Sequence, residues 1–106
     1  MVGKYKVITL CGSTRFKDTF LEVLKKLTLE GNIVLLPGVY AHAGDDEAWG
    51  IGVKDFLDDM HRRKIDMSDE IYVVNPGGYI GDSTRGEIDY ARRNGRGIRY
   101  LEEPES

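Results

Sequence analysis

Three short segments of this chain read as continuous apolar runs: Lys4 to Cys11, Asn32 to Leu36 and Glu70 to Val74. Strands exposed on one face alternate apolar and polar residues, whereas runs without alternation are typical of parallel strands covered on both faces. The segments between them have helical spacing. Phe16, Phe20, Val23, Leu24 and Leu27 recur on one helical face, which closes at Gly31-Asn32. Val53, Phe56, Leu57, Met60 and Lys64 mark a second helix over Ile51 to Asp66, and Ile88 and Ala91 point inward from a third over Ser83 to Asn94. Gly95 supplies a helix-stop signal, and Gly97 to Leu101 follows as a fourth strand.

The order is thus β-α-β-loop-α-β-α-β. Crossovers of this kind predict an α/β domain, Rossmann-like (flavodoxin-like), with about four parallel strands in the order 2-1-3-4 and helices on both faces. With 106 residues, 41% hydrophobic and 31% charged, residues 1–106 form one domain with a single core. The one irregular stretch, Pro37 to Gly50, is long enough to be a functional or mobile loop such as a lid.

Charge and cysteine content narrow the partners. A formal net charge of -3 gives no bulk electrostatic reason to expect nucleic acid or an anionic membrane. Arg92, Arg93, Arg96 and Arg99 read as cations that complement a helix C-terminus and a solvated edge. The single cysteine, Cys11, has no disulfide partner and no metal-ligand spacing, which suits a reducing compartment and a small buried hydrophobe better than a nucleophile. His42 and Trp49 lack partner spacing, and His42 with Asp45 and Asp46 matches no ligand pattern, so neither a metal nor another cofactor is expected. No secretory pattern opens the chain, and no apolar run approaches the roughly 20 residues of a membrane span. These features predict a soluble cytoplasmic protein.

In open parallel sheets, ligands bind beyond the carboxyl ends of the strands where the strand order reverses, here between strands one and three. Those strands end in Gly12-Ser13-Thr14-Arg15 and in the glycine-rich run Asn75 to Glu87. Glycines allow close backbone approach, and a helix start offers unpaired N–H groups. Gly12, Ser13, Thr14 and Arg15 therefore either hold a phosphate or merely cap the following helix. Neither a Walker A loop nor a G-x-G-x-x-G fingerprint is present. Asn75, Gly78, Asp82, Ser83 and Thr84 belong to the second loop, with Tyr79 at its tip either covering a base or sugar or, as the simpler alternative, packing. Glu87 reads as a functional carboxylate at the helix start, against the alternative that Thr84-x-x-Glu87 is a capping box. Asp55, Asp58, Asp59 and His61 are within reach on the preceding helix, whereas Asp69 lies at the other end of the sheet and reads as structural.

Cys11-Gly-Ser-Thr-Arg15, then Ser68-Asp69-Glu-Ile-Tyr-Val-Val74, then Asp82-Ser-Thr-x-x-Glu87-x-x-x-Ala91 resemble the nucleoside 2-deoxyribosyltransferase superfamily, which includes nucleotide N-glycosidases. Pro76-Gly-Gly-Tyr79 with Thr84-x-x-Glu87 is also similar to a motif of lysine-decarboxylase-like phosphoribohydrolases. The resemblance covers most of the chain. It implies cleavage or transfer of the N-glycosidic bond of a nucleoside 5′-monophosphate or related nucleotide, with Glu87 as nucleophile or oxocarbenium stabiliser and the Gly12 to Arg15 loop on the 5′-phosphate. It also implies a homodimer or larger homo-oligomer. His61 stands where relatives usually carry an acidic aspartate, leaving His61 or Asp58 as the acid, and Asp82-Ser83-Thr84 and Arg85-Gly86 depart from the usual loop. A non-catalytic nucleotide sensor of the same fold is the alternative function.

Overall fold

The computed structural model describes residues 1–40 and 52–104. His42, Asp45, Asp46, Trp49 and most of the expected lid lie outside the described residues. Four strands, β1 (Val7–Gly12), β2 (Ile33–Leu35), β3 (Glu70–Val74) and β4 (Gly97–Tyr100), form one sheet in the order β2-β1-β3-β4. Every pairing is parallel. Three α-helices connect them: α1 (Lys17–Leu29), α2 (Val53–Asp66) and α3 (Asp82–Arg93). This is the expected Rossmann-like α/β arrangement. Among the described residues, no helix is long and apolar enough to cross a membrane.

Successive residues of a strand point to opposite faces, and both faces of this sheet are apolar. Ile8 and Leu10 of β1, with Tyr72 and Val74 of β3, pack against Phe20, Val23 and Leu27 of α1. Cys11 of β1, with Ile71 and Val73 of β3, packs against Ile65 of α2 and Ile88 and Ala91 of α3. The two-sided burial explains why β1 and β3 show no alternation in sequence. It also dictates that Cys11 faces α2 and α3.

Several boundaries differ from the sequence reading. β1 starts at Val7, not Lys4, because the chain first makes a tight turn, in which Val2 bridges Tyr5 and Gly3 has a positive φ. β2 keeps only three of the five expected residues. On α2 the inward residues are His61 and Ile65, while Phe56 and Met60 are 52% and 45% exposed. The expected helix is present, and the residues that mark it divide: Val53, Leu57 and Lys64 are half-buried, whereas Phe56 and Met60 are exposed.

Polar contacts fix the lower end of α2. Thr9 Oγ1 and Ser68 Oγ both reach the Lys64 carbonyl, at 3.1 and 2.8 Å, and bond each other. Arg96 donates to the Ile65 and Asp66 carbonyls at 3.3 and 2.9 Å and to the Asn94 carbonyl at 3.0 Å, placing a cation at a helix C-terminus as the sequence suggested, here that of α2 as well as the end of α3. Tyr90 of α3 donates to Asp66 Oδ1 at 2.6 Å. Asp69 Oδ2 accepts from Val7 N at 2.8 Å, the structural role expected of it.

β1 and β3 approach most closely at Gly12, whose φ is 150° and whose partner across the ladder is Val74. A Cβ there would sit 2.5 Å from the Val74 carbonyl oxygen and 3.3 Å from Phe20. Gly12→Ala is therefore expected to destabilise the domain by roughly 2 kcal/mol or more, through backbone strain and overpacking. Urea unfolding with an unchanged midpoint would show that the strands part at no cost.

Candidate functional site

A cavity of about 530 Å³ opens at the carboxyl ends of β1 and β3, where the strand order reverses. The volume suits a small organic molecule. One side is the Gly12 to Arg15 loop; facing it are Asp82, Ser83 and Thr84 at the start of α3, with Tyr79 between them. Lys54, Leu57, Asp58, Met60, His61 and Lys64 of α2 and Glu87 of α3 also line it, and Pro37, Gly38 and Val39 add an apolar edge after β2. Most residues singled out from sequence thus converge; Asn75, Gly78, Asp55 and Asp59 do not line the cavity.

Asn75 is corrected to a structural role. It is fully buried, its Nδ2 donates to the Glu102 carbonyl at 2.8 Å, and its Oδ1 accepts from Glu102 N at 2.9 Å. Both ends of its amide are occupied in tying the β3 loop to the segment after β4. Gly78 instead serves the turn, with a φ of 82°.

The capping reading of the first loop holds at Ser13, while Arg15 is held by neighbouring side chains. Ser13 caps a 3-10 turn over Thr14–Phe16 by accepting from Arg15 N at 3.4 Å. The same Ser13 Oγ accepts from Arg15 Nε at 3.1 Å. The guanidinium lies 4.7 Å from the centre of the Tyr79 ring and reaches the Tyr79 hydroxyl at 3.4 Å, and Phe16 meets that ring edge-on. Tyr79 therefore packs, as the simpler reading held, and in doing so holds Arg15 at the cavity wall.

The capping-box alternative for Glu87 is overturned. α3 begins at Asp82, its N-cap is Gly81, and no side chain caps it. Glu87 is five residues into the helix, in the second turn and not the first, beyond the position that reaches back to an N-cap. Its carboxylate points instead toward α2 and β1. Glu87 Oε1 lies 3.6 Å from His61 Nε2, and that nitrogen lies 3.4 Å from Cys11 Sγ. Glu87 Oε1 is buried and has no hydrogen-bond partner among the described residues.

Burial sets the charges of this cluster. It pushes the Glu87 carboxyl up to about 7, opposed by the neighbouring Cys11 thiol, Arg62 and Lys54 and helped by the charge of Asp58. It pushes His61 down to about 4, with Lys64 adding to the effect and Asp58 opposing it. The Cys11 thiol is raised by burial and then by the Glu87 charge. Near pH 7 His61 is neutral, Cys11 is a thiol, and Glu87 carries whatever charge the cluster has.

Cys11, read from sequence as an inert hydrophobe, was missed as a neighbour of the site. No local pattern marks it, because its partners are 50 and 76 positions away. Leu57 was read only as a helix position and Val39 only as part of the long loop; both line the cavity. No protein-family model matches the chain, and no curated protein matches it.

A carboxyl raised in the native state opposes folding wherever the unfolded chain has already ionised. On its own Glu87 therefore lowers stability as pH rises from about 4.5 to about 7 and changes nothing above, while His61, held down to about 4, raises stability between about pH 4 and 6.5 and offsets it. Glu87→Gln is neutral throughout and is expected to raise stability at pH 8 by up to about 3 kcal/mol, with little gain at pH 4. Denaturant midpoints at the two pH values check this; an equal gain at both would show that the carboxylate is not desolvated.

Proposed function

We propose that this domain cleaves or transfers the N-glycosidic bond of a nucleoside 5′-monophosphate or related nucleotide. The observation that carries the reading is a buried, uncapped carboxylate in the same cavity as an anion-binding corner. That corner combines the pre-positioned Arg15, the Ser13 and Thr14 hydroxyls and the uncapped N-terminus of α3. A phosphate held there leaves the sugar to extend toward Glu87, with Leu57 and Val39 offering apolar surface to a base.

When the bond from the anomeric carbon to the base nitrogen breaks, its electron pair leaves with the base and positive charge builds on the carbon. Ionised Glu87 stabilises that charge or forms a covalent bond to the carbon, which water or a second base then displaces. The base takes up a proton as it leaves, and His61 and Asp58 are the groups that line the cavity within one turn of each other. His61 is uncharged at neutral pH and holds no spare proton. That one observation favours the second reading, a nucleotide sensor that binds without turnover.

An assembly of two or more copies belongs to the same reading, because Phe56 and Met60 are exposed on α2 beside the cavity and a homodimer contact would cover them. Sedimentation as a monomer at micromolar concentration would sink this part.

Chromatography of free base released from ribo- and deoxyribonucleoside monophosphates tests the activity. Release by the wild type is expected to vanish in Glu87→Gln. Because the reactive form is ionised, kcat/KM is expected to rise about tenfold per pH unit below pH 7 and to level off above. Absence of release from every nucleotide, with or without an acceptor base, combined with thermal stabilisation by a nucleotide, would establish the sensor instead.

A further inference from the structure

Three side chains from three separate elements meet at the floor of the cavity. Cys11 comes from the end of β1, His61 from the middle of α2 and Glu87 from the second turn of α3. Their ligand atoms all lie within 4.8 Å of one another. Two of the three separations are 3.4 Å, from Cys11 Sγ to His61 Nε2, and 3.6 Å, from His61 Nε2 to Glu87 Oε1.

Those distances match a tetrahedral ion. Zinc bonds of about 2.3 Å to sulfur and about 2.0 Å to nitrogen or oxygen, at tetrahedral angles, put ligand atoms roughly 3.3 to 3.6 Å apart. A second observation points the same way: Glu87 Oε1 is buried and lacks a hydrogen-bond partner among the described residues, so one acceptor of the cluster is unsatisfied. The donor set is one thiol, one imidazole and one carboxylate, which favours zinc and similar borderline ions over magnesium or calcium. His61 and Glu87 line the cavity while Cys11 lies behind them, so an ion enters from the cavity side.

We propose that Cys11 Sγ, His61 Nε2 and Glu87 Oε1 form a three-ligand site for zinc or a similar divalent transition metal, with the fourth coordination position open to the cavity. On binding, the thiol proton passes to solvent as the sulfur–metal bond forms. This goes beyond the glycosidic reading, which expected no metal, because binding stands or falls without turnover. Where that reading also holds, the ion occupies the oxygen that would act at the anomeric carbon and stops base release.

Cobalt(II) tests the site on the full chain, freed of metal by chelator and kept reduced. One-to-one saturation is expected, with the intense visible bands of tetrahedral cobalt and a near-ultraviolet thiolate-to-cobalt band, both lost on adding zinc. Cys11→Ser is expected to abolish the thiolate band, and Glu87→Gln to weaken cobalt affinity by about tenfold or more. Thermal melts without metal establish that each variant folds; should Cys11→Ser fail, Glu87→Gln, at the cavity edge, carries the test. Wild-type protein that gives no tetrahedral spectrum, one without the thiolate band, or saturation unchanged by Glu87→Gln would overturn the proposal.

Discussion

The alternation of β1 is the constraint from which the site follows. β1 pairs with a strand on each side and is buried on both faces, so its residues have no freedom to slip by one position without exchanging one core for the other. Leu10 is committed to α1 and Cys11 to α2 and α3. One residue later the strand ends at Gly12, where only a missing side chain lets the β3 backbone come so near. The wall of the cavity, its floor and the turn that carries Arg15 are thus set within five residues by one strand's register.

A cluster placed this way is held where the native chain does not favour its charge. Glu87 is desolvated enough for half of it to remain protonated near pH 7, a state that costs stability whenever the unfolded chain is ionised. A capped, solvated glutamate in the first turn of α3 would be the stable choice. Burial of a carboxylate against an uncharged imidazole and a thiol marks the place where a local rule is broken without a local gain, as functional sites commonly show.

The sheet was legible because buried strands write themselves as apolar runs and the crossovers leave one plausible order, from which the switch point follows. Gly12 to Arg15 and Asp82 to Thr84 were legible for the same reason: loops after strands one and three must border the crevice. Asn75 was misjudged because an amide at a strand end looks alike whether it meets a ligand or the chain itself, and Glu102, its partner, is 27 positions away. Spacing located α2 but did not show that His61 lies inward, because it cannot distinguish an exposed Phe56 from an inward one. Cys11, apolar by neighbourhood, became part of a polar cluster only through tertiary placement.

How accurately that cluster is held depends on contacts outside the cavity. His61 sits between the tied C-terminal end of α2 and its more exposed first half, in which Phe56 is half exposed and Lys54 pairs with Asp58 one turn on. The C-terminal end is tied to β1 through Thr9, to α3 through Tyr90 and to the segment before β4 through Arg96. Each tie fixes a different degree of freedom: Thr9 and Ser68 set the height of α2 over the sheet, Tyr90 its separation from α3, and Arg96 satisfies the carbonyls that would otherwise loosen its last turn. Lys64 adds a bond to the Leu36 carbonyl at 2.7 Å, joining α2 to the end of β2. With α2 and α3 fixed one turn below, the helices deliver His61 beside Glu87 and Cys11. The polar ties at the bottom of α2 are therefore positioning elements for the chemistry at the top.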